Sequence, residues 1–130
     1  MLDKLEVFQM AQAMAQYAET RQSAIAQNIA QADTPGYKAK DVAPFAETYR
    51  AQEGSEALRA TREKHLSGNS GGFEPQIITA SQTGSQSPNG NTVSLDLEMM
   101  RAAEVRIQHD TALTIYQTSL DILRTSIGRR

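Results

Sequence analysis

The chain has 130 residues, a length that predicts one domain with a single core. Leucine, isoleucine, valine and phenylalanine together number 24. This is less than roughly 20% of the chain, the share below which ordinary globular packing becomes doubtful. A further 18 residues are alanine. The net charge is only −2, which is too small to demand disorder. These values exclude a large self-sufficient core and fit a chain that orders fully only with a partner.

The sequence also excludes several classes of site. It has no cysteine, which rules out disulfides, zinc–thiolate sites and thiol nucleophiles. Its charges are spread evenly, without the basic face or tail expected of a nucleic-acid-binding protein. No apolar run approaches the roughly 20 residues that span a bilayer. The first residues lack a basic region followed by an apolar run, so we expect neither membrane insertion nor a cleaved secretory signal.

A heptad pattern predicts a long N-terminal helix across residues 1–34. Apolar or small residues recur at alternating spacings of three and four, and Gln22 is the one polar member. This stripe consists of Phe8, Ala11, Ala15, Ala18, Gln22, Ile25, Ile29 and Ala32. Because Pro35 disfavours helical backbone at the preceding residue, we expect the helix to end near Asp33 and Thr34.

The middle of the chain, residues 35–93, differs in kind from the two ends. Charged residues between positions 48 and 65 predict a short helix that is interrupted at Gly54-Ser55. Residues 67–94 are rich in Gly, Ser, Asn and Gln and predict a mobile loop, in which Gln76–Thr79 is the only plausible strand. A loop of that length is uncommon in a compact domain and favours a segment that contacts a partner.

A second heptad pattern predicts a C-terminal helix across residues 94–130. Ser94 is the expected N-cap, and Asp96 and Glu98 place negative charge where it suits the helix dipole. The stripe runs through Leu95, Met99, Ala102, Arg106, His109, Leu113, Tyr116, Leu120, Leu123 and Ile127. Stripes of equal period at both ends predict an antiparallel or staggered pair of helices. The expected fold is all-α, a coiled-coil-like hairpin in one domain, whose irregular centre holds at most a short strand or hairpin.

Two local patterns are similar to parts of enzymatic or metal sites, but each lacks the further residues that such a site requires. The stretch Gly68–Gly72, with Ser70 at its centre, is similar to the Gly-Asp-Ser-Gly-Gly of trypsin-like proteases, yet His65 lies too close and the chain is too short for that fold. His109 has Leu113, not a second ligand, four residues on. We therefore predict no catalytic residue, metal, cofactor or small-molecule substrate. A hydrolase that uses Ser70 stays as a third hypothesis, to be tested by Ser70→Ala.

The segment from Asn28 to Lys38 resembles the N-terminal signature of bacterial flagellar rod and hook proteins, and departs from it at Gln31, where the family usually has Asn. The motif residues that carry the resemblance are Asn28, Asp33, Thr34, Pro35, Gly36, Tyr37 and Lys38. The stretch from Asn89 to Met99 is similar to the start of that family's C-terminal helix. The best match within the family is the small proximal rod protein of the basal body, the FlgB type.

The resemblance implies a structural subunit that polymerises helically with other rod proteins into the periplasmic drive shaft that transmits torque. It implies export through the flagellar type III pathway without a cleaved signal peptide. The implied partners are copies of the chain itself, other flagellar rod subunits and the export-gate-proximal adaptor of the basal body. The expected assembly interface comprises Phe8, Ala11, Ala15, Ala18, Gln22, Ile25, Ile29, Leu95, Met99, Ala102, Leu113, Tyr116, Leu120, Leu123 and Ile127.

Two alternatives stay open at the level of sequence. A small soluble coiled-coil adaptor or export chaperone would bind partner helices without polymerising, and a stable helical monomer or dimer in dilute solution would favour it. Within the rod family, a sister proximal rod subunit would carry similar helices, although the two motifs favour the FlgB type.

Overall fold

A computed structural model describes residues 2–55, 73–80 and 87–128 of the chain. In chain order the elements are α1 (Leu2–Ala30), β1 (Lys40–Val42), α2 (Phe45–Ser55), β2 (Ile77–Thr79) and α3 (Leu95–Ile127). The predicted continuation of the middle helix beyond Ser55 lies outside the described residues, as do His65 and Ser70. No helix in the described ranges is long and apolar enough to cross a membrane.

The two long helices pack against each other as an antiparallel hairpin, which confirms the predicted all-α fold with paired ends. Near the start of α1, the Phe8 ring lies against Tyr116 in the second half of α3, with 4.5 Å between ring centroids. Near the end of α1, Asn28 instead contacts Glu98 in the first turns of α3. The small apolar core between these points consists of Ala18, Ile25 and Val105, with Ala102 packed against it.

Only part of the predicted stripe on α1 is buried against the rest of the chain. The buried stripe members, spaced seven residues apart, are Ala11, Ala18 and Ile25. At the alternate positions Gln22 and Ile29 are exposed, because the preceding residues Arg21 and Asn28 occupy the contact with α3 instead. Two polar residues, Arg21 and Asn28, therefore contact α3 where the heptad pattern predicted the polar Gln22 and the apolar Ile29.

The same one-residue displacement occurs on α3. The residues buried in this helix are Glu98, Val105 and Ala112, again seven apart. Their C-terminal neighbours, which the heptad pattern placed in the stripe, are all exposed, namely Met99, Arg106 and Leu113. Alanines, Ile25, Val105 and polar side chains thus form the seam between the helices, and several large apolar side chains, such as Met99 and Leu113, lie exposed beside it.

A two-stranded antiparallel sheet joins the middle segment to the hairpin. The predicted strand Gln76–Thr79 is present as β2, and it pairs with β1 so that Asp41 faces Ile78. The sequence did not predict β1, since Lys40–Val42 shows neither apolar alternation nor a hairpin turn. Because β1 follows the end of α1 closely, the sheet lies at the same end of the hairpin as the start of α3.

An aromatic cluster holds α2 against α1. The cluster consists of Tyr17, Phe45, Tyr49 and Phe73. The ring of Phe45 lies centrally, with its centroid 5.6 Å from Tyr17, 5.4 Å from Tyr49 and 5.2 Å from Phe73. This helix begins three residues earlier than the charged stretch suggested, because its first residue supplies the packing that anchors it.

Candidate functional site

The two segments that resemble flagellar rod proteins meet at one end of the hairpin. We call this region the polar junction, and define it by Asn28, Tyr37, Lys40, Asn91, Thr92 and Glu98. Buried polar groups are stable only when they are hydrogen-bonded, so the partners of each member show what the region does.

Asn28 uses the full hydrogen-bonding capacity of its side-chain amide. The Nδ2 group donates to the Lys40 carbonyl at 2.7 Å and to Glu98 Oε2 at 3.2 Å. The Oδ1 atom accepts from the Lys40 N–H at 2.9 Å and from the Tyr37 hydroxyl at 3.1 Å. Since Asn28 is fully buried, this one side chain ties α1, the turn after it, β1 and α3 together.

Glu98 has a different role from the one that the sequence suggested. It lies in the first turn of α3, where it was expected to complement the helix dipole, but its side chain is fully buried. Its carboxylate accepts from Arg101 Nη1 at 2.9 Å and from Asn28. A buried carboxylate is costly unless it is paired and hydrogen-bonded, and both conditions hold here.

Asn91, from a distant part of the chain, binds the turns that directly follow α1. Its Nδ2 group donates to the carbonyls of Gln31 at 2.9 Å, Ala32 at 2.8 Å and Thr34 at 2.8 Å. Its Oδ1 atom accepts from the Val93 N–H at 2.8 Å. These carbonyls belong to the turns that follow α1, so Asn91 holds the chain in the turns through which it leaves the helix. Helix α1 ends at Ala30 and turns continue up to Gly36, whereas the sequence predicted an end near Asp33 and Thr34.

Two glycines let the two segments approach each other. Gly36 has a φ of 75° and Gly90 a φ of 82°, in the left-handed region that L side chains rarely adopt. The Gly36 N–H donates to the Asn89 carbonyl at 3.0 Å, and the Thr92 N–H donates to the Tyr37 carbonyl, also at 3.0 Å. We call these crossed backbone bonds the glycine clasp.

Arg21 extends the polar contacts towards the middle of the hairpin. Its guanidinium approaches Asp41 Oδ1 at 3.4 Å and Glu104 Oε2 at 3.6 Å, and donates to Gln108 Oε1 at 3.3 Å. One side chain on α1 thereby reaches both β1 and α3. Sequence reasoning missed it because an arginine between heptad positions looks like a solvent-exposed residue.

The remaining motif residues lie at the surface. Tyr37 and Asn28 belong to the polar junction and Gly36 to the clasp, whereas the exposed members are Asp33, Thr34, Pro35 and Lys38. Ser94 does occupy the N-cap position of α3, with φ −106° and ψ 114°, but its side chain makes no capping hydrogen bond.

The residues predicted for the assembly interface fall into three groups by exposure. Those buried within the chain are Ala11, Ala18 and Ile25. Those half-buried are Phe8, Ala15, Ala102, Tyr116, Leu120 and Leu123. Those exposed are Gln22, Ile29, Leu95, Met99, Leu113 and Ile127. The pattern missed further exposed apolar side chains on another face of α3, Met100 and Ile107.

Among the described residues, no group of three or more histidine, aspartate or glutamate residues could hold a metal ion. Burial raises the pKa of the Tyr17 hydroxyl, while Arg21 lowers it and Asp41 raises it further. Tyr17 lies in the aromatic cluster, so the shift reflects the packing of α2 on α1.

Comparison with known proteins shows relatives across most of the chain. The flagellar basal body rod protein FlgB of Cereibacter sphaeroides is 34% identical over 109 residues, which cover 84% of each chain. The chain belongs to the FlgB family of flagellar basal body rod proteins. FlgB of Agrobacterium fabrum is 30% identical over 131 aligned positions, 98% of this chain and 97% of the relative. FlgB of Proteus mirabilis is 32% identical over 127 residues, which cover 92% of this chain and 93% of the relative. No family model matches the sequence.

Membership of the FlgB family confirms the resemblance that the two motifs indicated. The structure adds a physical reason for both motifs to occur in one chain. Asn28 of the first motif donates a hydrogen bond to Glu98 of the second, and the Gly36 N–H donates one to the Asn89 carbonyl. In this FlgB-family chain the motifs are the two halves of one junction.

Proposed function

We propose that this basal-body rod subunit is a hairpin closed at the polar junction, which polymerises helically by presenting large apolar side chains to neighbouring rod subunits. The resulting assembly is the drive shaft that transmits torque. Family membership supports the rod role, since the relatives described above are all named rod proteins. The same names disfavour a soluble coiled-coil adaptor that does not polymerise.

One observation carries the proposal: several large apolar side chains of the two long helices are exposed outside the packed seam. On α3, Leu95 is 51% exposed, Met99 62% and Leu113 41%. Leu95 and Leu113 are 18 residues apart, which is about five helical turns, so they lie on the same side of the helix, with Met99 nearby. An apolar stripe beside an already closed seam is typical of a protein–protein interface.

The predicted assembly interface therefore narrows to residues that a neighbour could reach. Buried stripe members such as Ala18 hold the hairpin together, whereas Ile29, Leu95, Met99, Leu113 and Ile127 face outward. A contact between this stripe and a different surface of the next subunit is heterologous, and repeated heterologous contacts that do not close into a ring generate helical tubes.

The proposal includes partners and location. The partners are further copies of the chain, other flagellar rod subunits and the export-gate-proximal adaptor, and the subunit lies in the periplasmic part of the rod after flagellar type III export. The named relatives support the rod and basal-body setting. The proposed role requires no catalytic residue, because close packing of helices is sufficient to transmit torque.

The experiment replaces two side chains of the exposed stripe in a flagellated bacterium that lacks its own FlgB. We expect the unaltered chain to restore swimming and Met99→Gln with Leu113→Gln to abolish most of it. Each buried methylene contributes about 0.8 kcal/mol, so losing both side chains should weaken association at least about tenfold. Isolated basal bodies should then contain little of the variant.

The matched control is Thr111→Gln, which places the same residue type at an exposed position on a different face of α3, about 120° around the helix from Met99 and about 160° from Leu113. It should swim like the unaltered chain. The helical circular dichroism of all three purified proteins should agree, because none of these side chains is buried. Full swimming by the double variant would contradict the proposed interface.

A further inference from the structure

The glycine clasp contains a dipeptide with a chemical reactivity of its own. The chain has four asparagines, and only Asn89 is followed by glycine. The backbone nitrogen that follows an asparagine can attack the side-chain amide carbon, and glycine leaves that nitrogen unhindered because it has no Cβ. Asparagine is a thermolabile residue for this reason. Asn89 is therefore the asparagine whose local sequence most favours loss of its amide.

The reaction converts the amide into an acid through a five-membered ring. The Gly90 nitrogen forms a bond to Asn89 Cγ, while the Cγ–Nδ2 bond breaks and the proton of the Gly90 N–H leaves with the ammonia. Water then opens the resulting succinimide. Opening at Cγ gives aspartate, whereas opening at the main-chain carbonyl gives isoaspartate, in which the chain runs through Cβ. The net reaction consumes water and releases ammonia, so it needs no oxidant or cofactor.

In the folded chain the attacking nitrogen is held in a closed turn. The Gly90 N–H donates to the Ser87 carbonyl at 2.8 Å, and the Ser87 N–H donates to the Asn91 carbonyl at 3.1 Å. The nitrogen must lose its proton in order to attack, and a hydrogen bond made by the protonated form disfavours that loss. The turn therefore lowers the reactivity of the Gly90 nitrogen.

The side chain and the carbonyl of Asn89 are held as well. Asn89 Oδ1 accepts from the Asn91 N–H at 3.1 Å, and the main-chain carbonyl accepts from the Gly36 N–H at 3.0 Å. Both bonds restrict the rotations of Asn89 that bring Cγ onto the Gly90 nitrogen. The second bond comes from the segment that follows α1, so it lasts only while the two segments stay together.

Burial does not provide this restraint, because the side chain of Asn89 is exposed. Hydroxide and water therefore reach Asn89 in the folded chain, and the hydrogen bonds alone oppose the reaction. Such bonds break whenever a region opens locally, at a free-energy cost that can be far below that of global unfolding. The rate of reaction at Asn89 should thus follow the opening of the glycine clasp.

We propose that Asn89 is a site of spontaneous deamidation, which the closed glycine clasp suppresses and its opening permits. The isoaspartate product lengthens the main chain by one carbon and displaces the peptide group that joins Asn89 to Gly90. The clasp then no longer closes, so a chain that remains open becomes irreversibly marked. This inference does not depend on the proposed function, because it requires only the clasp.

The test ages the purified full-length protein at one mildly alkaline pH, in native buffer and in concentrated guanidinium chloride. Peptide mass spectrometry measures the mass gained when –NH2 becomes –OH at each asparagine. In denaturant Asn89 should react fastest of the four. In native buffer its rate should fall at least about tenfold, which corresponds to an opening free energy of about 1.4 kcal/mol or more.

A variant that loosens the clasp without changing the reacting dipeptide makes the result specific. Asn91→Ala removes the amide that binds the turns after α1, and should raise the rate at Asn89 severalfold in native buffer but not in denaturant. The control is Gln27→Ala, at an exposed position on α1, which should change neither rate. Circular dichroism checks the folding of each variant, and the comparison of the unaltered chain in the two solutions needs no variant.

The consequence for the clasp is tested on the products. Asn89→Asp adds the charge without lengthening the main chain, and its carboxylate can still accept from the Asn91 N–H, so its urea midpoint should match that of the unaltered chain. Aged protein enriched in isoaspartate, identified by reaction with an isoaspartyl methyltransferase, should unfold at lower urea. Equal rates at Asn89 in native buffer and denaturant would overturn the protection, and an unchanged midpoint of the isoaspartate form would overturn the marking.

Discussion

At the junction end of the hairpin, Asn28 and Glu98 are fully buried and hydrogen-bonded, whereas at the other end Leu5 is 53% exposed and Ile127 73% exposed. At the junction end the polar groups are buried away from water, and their hydrogen bonds specify one arrangement of the helices. The second leaves apolar surface in contact with solvent. The difference separates two kinds of contact: buried polar groups fix how the helices meet, and exposed apolar side chains are the surface that we propose associates with neighbours.

The energetics of the two ends follow from this contrast. Hydrogen bonds are directional, so removing one partner leaves the others buried and unsatisfied. Apolar contacts are not directional and grow with the area that is covered. We therefore expect substitutions at the junction to destabilise the isolated chain, and substitutions at the exposed stripe to affect only the assembly.

The largest effect should come from Asn28→Ala. This change leaves the Lys40 backbone, the Glu98 carboxylate and the Tyr37 hydroxyl without their shared partner. Each unsatisfied buried group costs about 1–3 kcal/mol, so we expect the free energy of unfolding to fall by about 3 kcal/mol or more. Urea titration followed by circular dichroism at 222 nm measures it.

The control is Gln27→Ala, one residue earlier on the exposed side of α1. It should change stability by less than about 0.5 kcal/mol. If Asn28→Ala were equally mild, the buried network would not be what closes the hairpin, and the contrast between the two ends would fail.

A smaller effect should follow from substitutions in the glycine clasp. Gly36→Ala and Gly90→Ala each place a side chain at positive φ, which costs roughly 1–2 kcal/mol. Neither new Cβ meets a severe clash: at Gly36 nothing lies within 4 Å, and at Gly90 the nearest atom is Gly36 Cα at 3.5 Å. The two losses should therefore be similar.

Asparagine tolerates positive φ better than alanine does, so Gly36→Asn and Gly90→Asn should recover part of that stability. The urea midpoints of the four variants provide the measurement. A large loss from Gly90→Asn with none from Gly36→Asn would show that crowding, rather than backbone strain, governs the clasp.

The sequence predicted the hairpin because helix periodicity is a local property that survives tertiary packing. It did not predict which residues enter the seam. Ile29 and Leu113 are apolar and fall on the heptad stripe, yet Asn28 and Ala112 are buried in their place. Hydrophobicity alone ranks isoleucine above asparagine, and only a partner such as Glu98, 70 residues away, reverses that order.

The polar junction was predictable in its location but not in its geometry. The two motifs indicated where the chain departs from helix, whereas the contact of Asn91 with the carbonyls that follow α1 joins residues about 60 positions apart. Likewise β1 has no strand pattern of its own, and it is held by the side chain of Asn28. Long-range hydrogen bonds of this kind leave no periodic signal.

The smallest predicted effect tests how far along the hairpin the well-packed region extends. Tyr17 lies 11 residues before Asn28 on α1, and burial in the aromatic cluster raises the pKa of its hydroxyl. A raised pKa in the folded state means that the unfolded chain releases this proton first as pH increases. The contribution of Tyr17 to stability is therefore constant below about pH 9 and is lost as pH rises through and above about 10, the ordinary value for tyrosine.

Tyr17→Phe removes this titration and keeps the ring, so the variant should lose less stability than the unaltered chain between pH 9 and pH 10.5. Every other group titrates in both proteins, and the difference between their urea midpoints isolates Tyr17. That difference should stay constant from pH 7 to pH 9 and change only above it. Parallel curves up to pH 10.5 would mean that Tyr17 is solvated in the free chain, and that the packed region ends closer to the junction than the aromatic cluster.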